Sequence, residues 1–279
     1  MRIFVTGHIG QLGTALWARL ADHSLEGGSL PDWDVTDAQQ VQARIRDFAP
    51  DVVVHAAALT NVDYCAEHPD EAVLVNGVGT YNVVMACRAT GARLVAISTN
   101  EVFDGRAGRP YQEYDPRCPA NPYGYSKCVA EQVVERFAPH YQIVRTAWLY
   151  APGGSNFLHK VLARARQGDA LRVVTDEVAT PTYVVDLADG LARLVEAGQP
   201  GIYHLTNAGA CSRYEFACEI VRLAGLDVPI EPITSGEFER PSTPPPYAPL
   251  DNVFAAAQGI VLRPWQAALA EYMAQHEAR

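Results

Sequence analysis

The chain has 279 residues, 48% of them hydrophobic, and a formal net charge of −10. That is enough apolar material for one large α/β domain or two smaller units. The acidic balance, with no run of Lys or Arg, excludes the footprint of a protein that binds nucleic acid or an anionic membrane surface. No apolar stretch approaches a membrane span, and the N-terminus enters a strand at once without the segments of a signal peptide, so the cytoplasm is the expected compartment. Six cysteines (Cys65, Cys87, Cys118, Cys128, Cys211 and Cys218) and eight histidines are scattered without the spacing of a metal site. Reduced thiols and no catalytic metal are expected.

Taken in chain order, Arg2-Ile3-Phe4-Val5-Thr6 reads as a short buried strand running into Gly7-His8-Ile9-Gly10-Gln11-Leu12-Gly13, and a helix follows through Ala15, Leu16, Ala18 and Leu20. Strand, glycine turn and helix is the context of a dinucleotide fingerprint. The glycines let backbone approach a pyrophosphate, and the helix N-terminus offers free N–H groups and a positive dipole end. The spacing is Gly-x-x-Gly-x-x-Gly rather than Gly-x-Gly-x-x-Gly, so a tight turn with no ligand is the alternative. Further on, Arg46-Asp47-Phe48 ends a helix, 51–55 is a strand, 71–90 is helical and 93–99 is another strand. Asn121-Pro122 opens a helix carrying Tyr123 and Lys127, and 141–146 is the next strand. This βαβα rhythm predicts a mainly parallel, Rossmann-like doubly wound sheet covered by helices, with ligands at the carboxyl ends of the strands.

After Tyr150 the pattern loosens. Ala151-Pro152-Gly153-Gly154 marks a boundary between a dinucleotide-binding domain over 1–150 and a smaller, mainly substrate-binding domain over 151–279. A helix is expected over 156–167, a strand over 171–174, a helix over 186–196, a strand over 202–205 and a helix over 213–224. Elements near 180–207 are candidates to return to the first domain. Arg240-Pro241-Ser242-Thr243-Pro244-Pro245-Pro246-Tyr247-Ala248-Pro249 is too rich in proline for helix or central strand. A linker is one explanation, and a loop fixed over a site is favoured by the ordered elements on both sides.

Only two residues are lysines, and one of them, Lys127, stands four after Tyr123 in Tyr123-Gly124-Tyr125-Ser126-Lys127. Residues four apart on a helix share a face. The ammonium is therefore expected beside the phenol, favouring its ionised form, so that a group with an ordinary pKa of ~10 can exchange a proton near neutral pH. A surface helix with an incidental Tyr and Lys is the competing explanation.

With these residues in hand, the chain resembles the extended short-chain dehydrogenases/reductases, and within them the dTDP-4-dehydrorhamnose reductase family. The resemblance runs nearly end to end. Besides the glycine turn and Tyr-x-x-x-Lys it includes Asp34-Val35-Thr36-Asp37, His55-Ala56-Ala57-Ala58-Leu59-Thr60-Asn61-Val62-Asp63, Ser98-Thr99 before Val102-Phe103-Asp104-Gly105, Arg145-Thr146-Ala147-Trp148-Leu149-Tyr150 and Ala179-Thr180-Pro181-Thr182. It implies a nicotinamide cofactor, NADPH or NADH. Gly7, Gly10, Gln11, Leu12 and Gly13 would lie at its pyrophosphate, Asp34 and Val35 would border adenine, and Ala58, Leu59 and Thr60 would line its groove. Thr99, Tyr123 and Lys127 would form the reductive triad, with Lys127 also holding the nicotinamide ribose. Asn100 and Trp148 would border the sugar, and Arg240 would grip the diphosphate of a nucleotide-sugar substrate. Plainer roles compete: Asp34 and Asp37 suit a helix cap, Trp148 suits a core, and the alanine run suits tight packing.

Three departures from the family pattern stand out. Where Ser-Thr-Asp-Tyr-Val-Phe is usual, this chain has Ser98-Thr99-Asn100-Glu101-Val102-Phe103, which leaves the sugar open. The short segment before Asp34 offers neither a clear acid for a ribose diol nor an Arg for a 2′-phosphate, which leaves NADH and NADPH open. The stretch from Arg240-Pro241 to Leu250-Asp251 is lengthened. The resemblance implies reduction of a nucleotide-linked 4-keto-6-deoxy sugar, dTDP-4-dehydro-L-rhamnose to dTDP-L-rhamnose foremost. Two other functions compete with it: a reductase or epimerase acting on another sugar nucleotide, and a non-catalytic regulatory subunit like that of methionine adenosyltransferase. A homodimer is left open.

Overall fold

In the computed structural model, which describes residues 1–153 and 156–277, short apolar runs form the centre of the molecule. Strands β1 (Arg2–Thr6), β2 (Ser24–Gly28), β3 (Val52–His55), β4 (Arg93–Thr99) and β5 (Tyr141–Thr146) join the strand Gly201–His204 in one six-stranded sheet. Every pairing in it is parallel. From one edge to the other the order is Gly201–His204, β5, β4, β3, β1, β2. Side chains alternate across a strand, so Ile3 and Val5 enter one hydrophobic layer while Phe4 enters the other. Helix α1 (Gln11–Arg19) and the helix Val184–Ala197 cover the first face through Leu12, Leu16, Leu187 and Leu191. Helices α2 (Ala38–Phe48), α5 (Gly79–Thr90) and α6 (Pro122–Phe137) cover the other through Val41, Ile45, Val83 and Val134.

The strand order reverses between β1 and β3. At such a switch point the loops leave the sheet in opposite directions and open a crevice at the carboxyl ends of the strands. Of the two short helices that follow β3, α3 (Val62–Glu67) and α4 (Pro69–Val73), α3 brings Val62 and Asp63 to that crevice.

Beyond Tyr150, the helices Phe157–Arg166, Arg213–Leu223 and Trp265–His276 pack around Tyr150, Tyr183, Phe216 and Tyr272. Leu171–Val174 pairs in parallel with Ile230–Ile233, outside the main sheet. Gly201–His204 does return to the main sheet, against β5. Gly154, at the expected boundary, lies outside the described residues. The proline-rich stretch forms no helix and is fastened along its length: Val178 N–H donates to Pro246 O at 2.8 Å, Ala248 N–H to Val178 O at 2.9 Å and Tyr111 N–H to Pro249 O at 2.8 Å.

Two elements depart from the sequence reading. β2 is Ser-Leu-Glu-Gly-Gly, without a β-branched run, and is made a strand by its pairing with β1 at the sheet edge. The helix expected over 71–90 is interrupted by a π-helical turn, Leu74–Val78. That turn carries Asn76, whose amide is spent on the site described next.

Candidate active site

The crevice is a cleft of about 790 Å³, lined on one side by the glycine turn after β1 and on the other by residues of the C-terminal part. Gly7, Gly10, Gln11, Leu12 and Gly13 line it, as do Ala58, Thr60, Thr99, Asn100, Tyr123, Lys127, Trp148 and Arg240. Asp34, Val35 and Leu59 are not in its wall. The Asp34 carboxylate accepts from the N–H and hydroxyl of Thr36, both at 2.9 Å, stabilising the turn before α2. Val35 is buried in the core against Gly79, and Asp37, not Asp34, caps α2. Leu59 is pinned by Asn76, which accepts from its N–H at 2.8 Å and donates to its carbonyl at 3.0 Å.

The turn after β1 has little room for a side chain. Gly7 has φ of +69°, and a Cβ there would lie 2.8 Å from Ala57 N, so both conformation and space require glycine. α1 begins at Gln11 with no side-chain cap and no acidic residue in its first turn. Its first N–H groups are left to accept an anion. The facing segment is positioned by a buried polar chain: Ala57 N–H donates to Thr6 Oγ1 at 3.0 Å, which lies 2.8 Å from His55 Nδ1, and His55 Nε2 lies 3.0 Å from Thr80 Oγ1. Burial, then the Lys127 charge, pulls His55 down to about 3. It is a neutral bridge rather than a base.

Asn121 and Pro122 start α6 as expected, with Asn121 Oδ1 accepting from Gly124 N–H at 2.8 Å. Tyr123, Lys127 and Glu131 then recur at i, i+4 and i+8 on one buried face. Glu131 is held by Arg145 through Nε and Nη2 at 2.9 and 2.7 Å and by Arg117 at 3.0 Å. Ser126 Oγ donates to Tyr123 O at 2.7 Å and accepts from Asn76 Nδ2 at 2.8 Å. This fixes the turn that carries the phenol to the π-helical turn.

The electrostatics differ from the expectation of an ammonium that ionises the phenol. Lys127 Nζ donates to Ile97 O at 2.8 Å, and burial lowers its pKa to about 8 against an opposing pull from Glu131. Burial raises the Tyr123 phenol well above its ordinary value and the Glu101 charge adds to that, while a hydrogen bond with Thr99 opposes them. The phenol is held in its acid form, ready to give a proton. Thr99 closes β4 beside it, and its hydroxyl donates to Asn100 Oδ1 at 3.4 Å. Asn100 Nδ2 in turn donates to Ala248 O at 3.1 Å, tying the proline-rich loop to the cleft.

The opposite wall is charged. Arg240 pairs with Asp63 at 2.9 Å and with Glu177 at 3.7 Å, and Arg213 pairs with Glu177 at 3.7 Å. Arg213 also lies over the Trp148 ring, 3.5 Å from its centroid. Trp148 takes φ of +43°, a strained conformation for a bulky residue at the cleft. Sequence reasoning missed Arg213, Glu177 and Asp63 as members of this wall. The Ser212-x-x-Glu215 capping box was a legible sign of the helix that presents Arg213. Nothing in the spacing linked it to Trp148.

A parallel sheet with a glycine turn at its switch point, and Tyr-x-x-x-Lys beside a Thr at the end of the neighbouring strand, defines the short-chain dehydrogenase/reductase class. Comparison with known proteins narrows this. The RmlD substrate binding domain matches residues 1–278, and the chain belongs to that family. It is 40% identical to a dTDP-4-dehydrorhamnose reductase of Streptomyces griseus, over 97% of this chain and 92% of that protein. Among solved structures it is similar to the dTDP-4-dehydrorhamnose reductase of Clostridium acetobutylicum (TM-score 0.96, 38% identity, all of both chains). It is also similar to that of Bacillus anthracis in complex with NADP (TM-score 0.95, 33% identity, 98% of this chain and 99% of that one).

Proposed function

We propose that the protein is a reductase that uses NADPH or NADH to convert the 4-keto group of a nucleotide-linked 6-deoxy sugar to an alcohol, with dTDP-4-dehydro-L-rhamnose to dTDP-L-rhamnose as the foremost reaction. The observation that carries this is the convergence of Thr99, Tyr123 and Lys127 with the Gly7 to Gly13 turn on one cleft. The family relatives supply the sugar. The cofactor fits the residues present: the Gly7 backbone approaches Ala57 too closely for any Cβ, and the uncapped start of α1 faces the same cleft.

When bound, the nicotinamide supplies the hydride that adds to the carbonyl carbon. Tyr123 donates its phenolic proton to the carbonyl oxygen, and the raised pKa ensures that the proton is there to give. The Thr99 hydroxyl holds that oxygen by a hydrogen bond. Lys127, a buried residue of the cleft lining whose Nζ donates to Ile97 O, would hold the nicotinamide ribose. Ala58 and Thr60 would border the cofactor, and Trp148 and Asn100 would border the sugar, all four lining the cleft. Arg240 meets the diphosphate at a reduced strength, since Asp63 and Glu177 already engage its guanidinium. Six free thiols, among them the buried Cys65, Cys87, Cys128 and Cys211, suit a reducing cytoplasm. No helix among the described residues is long and apolar enough to cross a membrane.

The test is NAD(P)H oxidation against a panel of dTDP- and UDP-linked 4-keto sugars. The expected result is that the protein shifts NAD(P)H fluorescence on binding and consumes the cofactor only when a keto sugar is added. Binding without consumption across the panel would overturn the reductase reading in favour of a regulatory subunit.

A further inference from the structure

The reduction leaves one acidic side chain of the cleft without a task. Glu101 lines the cavity two residues after Thr99, and its N–H donates to Thr99 Oγ1 at 3.2 Å. Its Oε2 accepts from Asn121 Nδ2 at 2.6 Å. That amide cannot turn over, because its Oδ1 caps α6 by accepting from Gly124 N–H. The backbone is equally fixed: a Cβ on Gly124 would lie 2.0 Å from Glu101 O, so the first turn of α6 is pressed onto this residue. Glu101 is therefore held on the wall between Thr99 and the turn that carries Tyr123. Its second carboxylate oxygen, Oε1, makes no hydrogen bond among the described residues, although the side chain faces the cleft.

A carboxylate oxygen that a bound sugar takes out of water costs free energy unless a donor on the sugar replaces the solvent. Neither the ketone oxygen nor the hydride offers one, and a sugar hydroxyl does. In a 4-keto-6-deoxyhexose the carbonyl carbon has two neighbours: C5, which bears the methyl group, and C3, which bears a hydroxyl. The 3-hydroxyl is thus the donor next to the oxygen that Thr99 and Tyr123 hold. Burial pushes the Glu101 carboxyl upward, against the Asn121 hydrogen bond and the pull of the Arg213 and Arg240 guanidinium groups; with two cations already acting on it, a third in the form of an amino substituent fits less well than a neutral hydroxyl.

We propose that Glu101 is a specificity-determining residue whose carboxylate accepts a hydrogen bond from the hydroxyl next to the reacting carbonyl, selecting 4-keto sugars that keep the 3-hydroxyl over 3-deoxy sugars. This rests on the reductase reading above. A neutral donor on a carboxylate is worth about ten- to a hundredfold, which sets the size of the discrimination.

The experiment compares kcat/KM for a dTDP-4-keto-6-deoxy sugar, its 3-deoxy counterpart and its 3-amino counterpart in the parental protein, Glu101→Gln and Glu101→Ala. NADPH fluorescence serves as the check that each variant folds and binds cofactor. The parent is expected to favour the 3-hydroxy sugar by about ten- to a hundredfold, and Glu101→Ala to lose that preference to within about threefold, through a fall on the 3-hydroxy sugar alone. Glu101→Gln, whose amide oxygen still accepts, is expected to fall between them, and it decides the matter if Glu101→Ala does not fold. A preference that survives both substitutions, or a parent that favours the 3-amino sugar, overturns the proposal while leaving the reductase reading intact. A parent that reduces none of the sugars overturns that reading, and the proposal with it.

Discussion

The two walls of the cleft are built from different materials. The wall after β1 and β3 is made of glycine, alanine and backbone N–H groups, positioned by a neutral chain through Thr6, His55 and Thr80. The facing wall is made of charged side chains, Asp63, Glu177, Arg213 and Arg240, gathered from four separate stretches of chain. One wall recognises by shape and by the dipoles of the backbone. The other recognises by charge that its own ion pairs partly neutralise, so single changes there have graded effects.

Substitutions can set that contrast against measurement. The largest effect belongs to the group between the walls. Tyr123→Phe keeps the ring and removes the proton, and is expected to lower kcat by about 10²- to 10⁴-fold with NADPH affinity unchanged, by steady-state kinetics and fluorescence titration. Next comes the backbone wall. Gly7→Ala puts a Cβ 2.8 Å from Ala57 N on a residue with φ of +69°, and is expected to cost about 1–3 kcal/mol of stability in denaturant melts and to weaken cofactor binding at least as much as sugar binding. A variant with unaltered cofactor affinity would show that this wall does not recognise by shape.

Lys127→Met separates function from stability. Turnover and cofactor affinity should both fall. The folded protein lowers this ammonium from 10.5 to about 8, so between those values the native state binds fewer protons than the unfolded state. The parent should therefore gain stability relative to the variant as pH rises from about 8 to about 10.5. At pH 7, where the cost of the buried cation is fully present, Lys127→Met should melt no lower than the parent. A large fall in its Tm at pH 7 would contradict the lysine's assignment as a buried cation kept for function. The smallest effect belongs to the charged wall: Arg240→Ala is expected to raise KM for the nucleotide sugar several-fold, with kcat and NADPH affinity little changed. An unchanged KM would leave Arg240 as a partner of Asp63 and Glu177 alone.

The same contrast explains what could be read from the sequence. Recognition by backbone is local, so the strand, the glycine turn and the start of α1 are contiguous in the chain, and Tyr123 and Lys127 are joined by one turn of α6. The βαβα order likewise gave the parallel sheet. β2 was hidden because its Ser-Leu-Glu-Gly-Gly sequence has no strand character apart from its neighbour β1. The charged wall was hidden because its members lie up to 177 residues apart, as Asp63 and Arg240 do. The π-helical turn at Asn76 was hidden because the amide that settles there answers to Leu59 and Ser126, contacts that appear only when three elements meet. The Asp34 motif was legible, but the hydrogen bonds that one of its carboxylate oxygens accepts from the N–H and hydroxyl of Thr36 were not.

The central claim, hydride delivery to a sugar carbonyl protonated by Tyr123, is tested most directly by following a label. Parental protein is incubated with dTDP-4-dehydro-L-rhamnose and NADPH carrying deuterium at the transferring position of the nicotinamide, and the sugar product is read by mass spectrometry and proton NMR. One deuterium at C4 of the product, formed together with one NADP⁺ and reduced to trace amounts by Tyr123→Phe, is the expected result. Deuterium at another carbon, product without label, or labelled product formed at the parental rate by Tyr123→Phe would contradict it.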